Sequence, residues 1–277
     1  VAQHKEQQGF LTLAVNSQEV DYLKLAYLQA LSIKKTQKNN KFAVLVDSNT
    51  KKEITSTHES VFDYIIELKE SHNGNPYTLE PQVFWYSPFK ETIKLESDII
   101  FTRSIDHWWN TFRLRDLVLS VGCKNYKQET SNNRKYRKIF DDNHLPDVYN
   151  GLMYFRYSAT SLNFFNTARL IFDNWDLVKE NFKFLDEEYP STDVVYAICS
   201  HIISREVTTL PEADFINFVH LKPAINNINE GSSVKEVLFT EFYNGMLRIN
   251  NLNQYAPVHY YDKNFNIDEM INDYESI

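Results

Sequence analysis

Two acids two residues apart, Glu96 and Asp98, stand inside the otherwise core-like stretch TIKLESDIIFTRSIDHWW from Thr92 to Trp109. A carboxylate is costly to bury unless something pairs with it, so this placement points to a divalent cation at a strand end. In extended chain Glu96 and Asp98 project to one face while Ser97 points to the other. Oxygen ligands of this kind suit a hard Mg²⁺ or Mn²⁺ ion that in turn holds a diphosphate. The competing reading is a surface turn between two strands, since short acidic triplets are common.

The surrounding chain supplies elements to position these acids. Gly9 to Val15 reads as a first buried strand, and Asn16 with Glu19 forms a capping pair for a helix carrying Val20, Leu23, Tyr27 and Leu31 to about Lys38. Phe42 to Val46 gives a second strand ending at Asp47, and Ser56 with Glu59 opens a second helix with Phe62, Ile65 and Leu68 inward. This βαβα order predicts an α/β fold with a doubly wound open sheet, whose ligands bind at the carboxyl ends of its strands. Asn16, Ser17, Asp47 and the acids at 96–98 therefore line one rim. Tyr22 either stacks on a base or packs. The chain has neither a Gly-x-Gly-x-x-Gly nor a Gly-x-x-x-x-Gly-Lys-Ser/Thr cradle, which leaves a metal as the natural holder of phosphate.

Further along, Asp116 to Val121 reads as a strand, Lys124 to Pro146 as a polar segment, and Val148 to Arg156 as a strand with Asn150-Gly151 near its start. A glycine there marks close approach of backbone to something else. Helices carry Leu162 to Phe172 and follow Thr192-Asp193, and Phe215 to Val219 is a strand ending in His220-Leu221-Lys222-Pro223. A helical run, Val234 to Tyr243, and an acidic helical tail close the chain.

At 277 residues with 43% hydrophobic and 14% aromatic residues, the chain can bury a full core and is far from the composition of disorder. Six glycines and eight prolines argue against repeats and flexible linkers. Cys123 and Cys199 lack metal-site spacing and are too few for a disulfide framework, so a reducing, cytoplasmic setting is expected. No apolar run is long enough to span a bilayer. The net charge of −8 disfavours a nonspecific polyanion binder, although Lys124 to Lys138 holds six basic residues against one acid.

The order of these features, Asn16-Ser17 with Tyr22, Asp47, Ser87-Pro88-Phe89-Lys90 through Leu95-Glu96-Ser97-Asp98, Tyr149-Asn150-Gly151-Leu152-Met153 and Val219-His220-Leu221-Lys222-Pro223, resembles GT-A fold glycosyltransferases. It is most similar to the family-8-like retaining enzymes, whose Pro-Phe-Lys-x-x-x-x-Leu-Asp-x-Asp stretch binds metal. In those enzymes a late His-x-x-Gly-x-Lys-Pro stretch supplies a third ligand and a diphosphate-binding lysine. The resemblance covers residues 9 to 223. It implies a Rossmann-like mixed sheet with helices on both faces: a catalytic domain at 1–225, with donor half about 9–110 and acceptor half about 111–225, and a C-terminal extension at 226–277 packed on it. It further implies a nucleotide-sugar donor, with UDP as the nucleotide, Mn²⁺ or Mg²⁺ as cofactor, and a hexosyl or pentosyl transfer to a hydroxyl with retention.

Carried over by position, Asp98 becomes the main metal ligand, Glu96 a second in place of the motif's first Asp, and His220 the third. Lys222 then faces the diphosphate, while Asn16, Ser17, Tyr22, Asp47, Glu96 and Ser97 bind the donor. The spacing from His220 to Lys222 is shortened and the motif's glycine is absent; His259 is the competing late histidine. Asn150 and Gly151 lie near the acceptor or the transferred sugar.

Such a transfer needs charge stabilised on the leaving diphosphate, which a divalent ion and a lysine supply. An inverting enzyme needs a base, for which Asp193 is the candidate, with helix capping as its other explanation. The basic segment with Arg134, Lys135, Arg137 and Lys138, interleaved by Tyr126 and Tyr136, would suit phosphates and unstacked bases, and hence a hydroxymethylated base flipped out of DNA as acceptor. A glycan, lipid-linked or protein acceptor does not require it. The rival functions are a sugar nucleotidyltransferase and a non-catalytic nucleotide-sugar-binding protein on a degenerate transferase scaffold.

Overall fold

A computed structural model describes residues 6–277 apart from 71–75, 132, 136, 186, 211–212, 230 and 264. Its centre is a six-stranded mixed sheet of order β3-β2-β1-β4-β7-β6, formed by β1 (Glu6–Leu13), β2 (Phe42–Val46), β3 (Tyr64–Glu67), β4 (Phe89–Leu95), β6 (Leu117–Val121) and β7 (Val148–Arg156). The first four run parallel, and β7 lies antiparallel between β4 and β6. The doubly wound mixed α/β architecture expected from the sequence is therefore the one observed.

Side chains alternate along the strands between two cores, one on each face. Phe10, Val44, Ile93 and Tyr154 face the helix α1 (Tyr22–Thr36). Leu11, Leu45, Met153 and Phe155 face α2 (Ala159–Asp173) and α3 (Thr192–Ile203). Strand β7, fully buried over eight of its nine residues, is the continuous apolar run that a strand covered on both faces requires.

The C-terminal segment closes the first of these faces. Strand β12 (Val258–His259) inserts between β5 (Ile99–Ile100), just past the acids, and β8 (Val219–His220), pairing antiparallel with the former and parallel with the latter. Helix α4 (Ile267–Ser276) packs beside α1, and Tyr274 Oη donates to Phe101 O at 2.8 Å. Between β8 and β12, a separate three-stranded sheet is formed by β9 (Thr240–Tyr243), β10 (Met246–Ile249) and β11 (Leu252–Asn253).

Several expected elements differ. The helix expected through Leu68 stops at Glu59, and Ile65 instead lies on β3 in register with Val44. Its apolar residues fit helical spacing, but a neighbouring strand was available to pair with them, and a strand of four residues is too short to declare its own period. The run Val234 to Tyr243 is a short helix, Val234–Val237, followed by β9. Asp21, not the Asn16–Glu19 pair, caps α1, its carboxylate accepting from Lys24 N at 2.9 Å. The strand expected from Phe215 is confined to Val219 and His220.

Candidate active site

Glu96 and Asp98 occupy the turn between β4 and β5. Three contacts fix that turn: Glu96 N donates to Gly151 O at 3.0 Å, and Gln29 Nε2 on α1 donates to Glu96 O at 2.6 Å and Ile99 O at 3.0 Å. Gln29 is fully buried, so its amide ties the helix directly to the acidic turn. Gly151 lies opposite: a Cβ there would meet Phe218 Cζ at 2.9 Å, so that ring would have to shift.

Strand β12 brings a histidine to the acids. His259 Nε2 lies 2.9 Å from Asp98 Oδ2 and 3.4 Å from Glu96 Oε2. Lys263, on the turn that follows, forms a short ion pair with the same Asp98 oxygen. His220, level with His259 on the parallel neighbour β8, stacks flat behind it, with ring centroids 4.3 Å apart and planes 7° apart. Among the described residues, Glu96, Asp98 and His259 form the group able to share a metal ion, their ligand atoms within 4.8 Å of one another. The histidine expected third in this set was His220, but the pairing of β12 with β5 seats His259 against both acids.

The electrostatics follow from burial and mutual charge. Burial raises the Asp98 carboxyl, but His259 and then Lys263 outweigh it and hold it below the usual carboxylate range. Burial raises Glu96 and prevails, with His259 opposing. Burial lowers His259, yet Asp98 and then Glu96 lift it above the ordinary histidine value. Burial, reinforced by the neighbouring His259, drives His220 well below it, which makes His220 a neutral ring.

Two cavities flank this group. The first, of 340 Å³, runs from the end of β1 at Leu13 and Val15 past Tyr22, Glu96, Ser97 and Asp98 to Lys263. The second, of 170 Å³, is walled by Asn150, Gly151, Asp193, His220 and Lys222. Tyr77, Glu96, His259 and Tyr261 line both. A larger cavity of 630 Å³ along α2, at Arg169, Phe172 and Trp175, contains none of these residues.

The remaining expected site residues divide between these walls and local structural duties. Tyr22 and buried Ser97 line the first cavity. The Asn16 side chain accepts from Leu23 N at 2.9 Å and donates to Glu53 at 2.7 Å, Ser17 Oγ accepts from Val20 N at 3.0 Å, and Asp47 caps the short helix Ser48–Lys51. Asp193 lies in the first turn of α3, where Oδ1 accepts from Asn150 N at 2.7 Å and Oδ2 from Arg137 Nη1 at 3.1 Å. Asn150 Nδ2 reaches Glu96 Oε1 at 3.4 Å, and its buried Oδ1 has no partner among the described residues.

Three of the six cations of the basic segment face the protein's own acids. Arg137 is 3% exposed, bridges Asp147 and Asp193, and stacks between Phe140 and Tyr149. Arg134 pairs with Asp141 and with Asp147 at 3.0 Å, and Lys138 sits 3.9 Å from Asp142. Tyr126 packs against the core, Lys135 is exposed, and Tyr136 lies outside the described residues. A phosphate-gripping loop needs its guanidinium groups available; here Arg137 is buried and Arg134, though exposed, is paired with two acids.

Sequence reading missed Lys263 and Gln29 and ranked His259 second. One signal was present: a lysine follows His259 by four residues and His220 by two, whereas the resembled motif has five. Gln29 carried no signal, being one polar residue on a buried helix face.

Fold and site together define a mixed α/β protein with an acid–histidine cluster where the carboxyl end of β4 meets β12, and with a cavity on each side. No protein-family model and no curated protein matches the sequence. Solved structures with a similar chain path include mouse xyloside xylosyltransferase 1 (9% identical, 74% of this chain and 85% of that one, TM-score 0.46). They also include galactosyltransferase LgtC with donor and acceptor sugar analogues (12% identical, 97% and 96% covered, TM-score 0.48). A third is 4-diphosphocytidyl-2C-methyl-D-erythritol synthase from Anaerococcus prevotii (12% identical, 74% and 87% covered, TM-score 0.37). At TM-scores below 0.5 this likeness assigns no residue a role.

Proposed function

We propose that this chain is a metal-dependent glycosyltransferase that moves a sugar from a nucleoside-diphosphate sugar to a hydroxyl acceptor. The observation that carries the reading is the cluster of Glu96, Asp98 and His259 beside two cavities, with Glu96 and His259 on the wall they share and Asp98 in the first; the first would take the donor and the second the acceptor. The donor set fits a divalent ion: two carboxylates and an imidazole suit Mn²⁺ better than Mg²⁺, which prefers oxygen ligands. A cation bound there supplies the Lewis-acid charge that stabilises a departing diphosphate.

The chain's own residues do the remaining work. The Lys263 ammonium lines the first cavity and is a point charge for phosphate oxygens. Tyr22, half-buried at the start of α1 with Lys263 Nζ 5.8 Å from its ring centroid, offers a face to the nucleoside. In the second cavity Asn150 Oδ1 is a buried acceptor without a partner among the described residues, a condition costing about 1–3 kcal/mol that a donating hydroxyl of sugar or acceptor would relieve. Both Asp193 oxygens are already engaged, by Arg137 and by Asn150 N. Asp193 therefore acts as a positioning group that orients Asn150, and a same-face, retaining transfer, which needs no strong base, agrees with that arrangement. The acceptor is a hydroxyl compound small enough to reach the second cavity; with Arg134 and Arg137 held internally, DNA is not favoured.

Asp98 is neutralised by Lys263 and His259 within the chain, and this favours a second reading, a binding protein in which these ion pairs are structural. Thermal-shift screening against nucleoside diphosphates, triphosphates and nucleotide sugars, with Mn²⁺ or with chelator, separates the readings, because a ligand at 100 times its Kd stabilises the fold by about 2.7 kcal/mol. Metal-dependent stabilisation by a nucleotide sugar followed by diphosphate release supports the transferase. Metal-dependent stabilisation without turnover supports the binding protein, and preference for a triphosphate supports a nucleotidyltransferase.

A further inference from the structure

The chain turns sharply just past His259. Asp262 N donates to Tyr260 O at 2.6 Å, closing a γ-turn around Tyr261, whose φ is 62°. Positive φ is unusual for a bulky side chain, and a γ-turn of this hand is the strained form. Its flanks impose it: Tyr260 is fully buried and its N–H donates to Asp98 O at 3.1 Å. Strain held by its surroundings clusters where side chains must be aimed for function.

The Tyr261 ring is aimed at the junction of the cavities. It meets the His220 and His259 rings edge-on at 5.7 Å and 6.4 Å, and Lys222 Nζ lies 5.3 Å from its centroid. The residue lines the first and second cavities and also a third, of 440 Å³, that runs past Lys222 and Pro223 to Ser232 and Ser233. Of the four residues common to the first two cavities, Tyr261 alone reaches the third. It is nevertheless 41% exposed, so the turn that seats Tyr260 in the core leaves the Tyr261 ring outside it.

We propose that Tyr261 is a specificity-determining residue that forms the wall between donor and acceptor cavities, packing against the transferred sugar and keeping water from its anomeric carbon. The inference rests on the glycosyl-transfer reading. Without the ring, the cavities merge and water takes the acceptor's place. A water oxygen then bonds to the anomeric carbon, the bond from that carbon to the diphosphate oxygen breaks with its electron pair leaving on the diphosphate, and the water proton passes to solvent. The products are free sugar and nucleoside diphosphate.

The test compares Tyr261→Gly and Tyr261→Phe with the unaltered chain. Glycine adopts this φ without strain, so the turn is kept while the ring is lost, and phenylalanine keeps the ring. UDP release from UDP-glucose, UDP-galactose and UDP-xylose is measured with Mn²⁺ and no acceptor, beside UDP binding by calorimetry. The glycine variant is expected to release UDP about tenfold faster, equivalent to about 1.4 kcal/mol of barrier, with UDP affinity unchanged and the phenylalanine variant like the parent. Release at the parental rate with UDP binding intact overturns the proposal. Loss of UDP binding in the glycine variant also overturns it, because the ring is then a structural support. A parent that binds no UDP refutes the transferase reading itself, and the inference falls with it.

Discussion

His259 touches both acids of the cluster, while His220 touches neither and lies flat against its outer face. The two rings thus have separable places: His259 faces both acids, and His220 packs flat against it on the wall of the second cavity. His259→Ala is expected to abolish Mn²⁺-dependent stabilisation by UDP. His220→Ala is expected to weaken it by about 10–100-fold, the scale of losing a group that supports a metal ligand from behind. Mn²⁺ titration followed by electron paramagnetic resonance reads both variants, and the reverse order would show that His220, level with His259 on the next strand, is the ligand.

At the scale of elements, the sheet's first half is tied by one carboxylate. Asp63 accepts from Phe42 N at 2.9 Å and Lys41 Nζ at 3.0 Å, and forms a short ion pair with Lys34 of α1, joining that helix to the starts of β2 and β3. Burial raises its pKa, but the Lys34 contact, the Phe42 amide and Lys41 together prevail and lower it. A depressed carboxyl contributes stability that is present above its unfolded value of about 3.9 and is lost as pH falls through the lower folded value. Asp63→Asn is therefore expected to cost about 1.5–3 kcal/mol in urea unfolding at pH 7, with the difference from the parent vanishing in strong acid. These elements were legible in the sequence to different degrees. Val148 to Arg156 and Phe42 to Val46 were read to the residue because a strand covered on both faces is a continuous apolar run. Ile65 was placed on a helix because its spacing from Phe62 and Leu68 satisfies that period, and only pairing with Val44 reveals the strand. At the site, Glu96 and Asp98 were visible as acids in apolar sequence. His259 and Lys263 were less so, because they reach the acids only through the pairing of β12 with Ile99, a contact across 160 residues that no local pattern encodes.

For the whole molecule, the site is completed by a segment far along the chain. Residues 6–95 build the parallel strands of the sheet and lead into the acids, whereas β12 and its turn, far along the chain, bring the histidine and lysine that face them. Charge over the molecule agrees with this division. The net charge is −8, and the two arginines of the basic segment answer Asp141, Asp147 and Asp193, whereas Lys263 is set against Asp98 inside a cavity. On the proposed function, a phosphate-bearing ligand would meet the Lys263 charge in that cavity, and a divalent ion held there would offset the charge of the acids. Among the described residues no helix is long and apolar enough to cross a membrane. The most direct measurement is calorimetric titration of UDP, with Mn²⁺ and with chelator, into the unaltered chain and into Asp98→Asn, whose fold is checked by circular dichroism. Binding is expected for the unaltered chain only with Mn²⁺ and not for the folded variant; equal UDP affinity in the two proteins, or affinity indifferent to chelator, would contradict a metal-held diphosphate at Asp98.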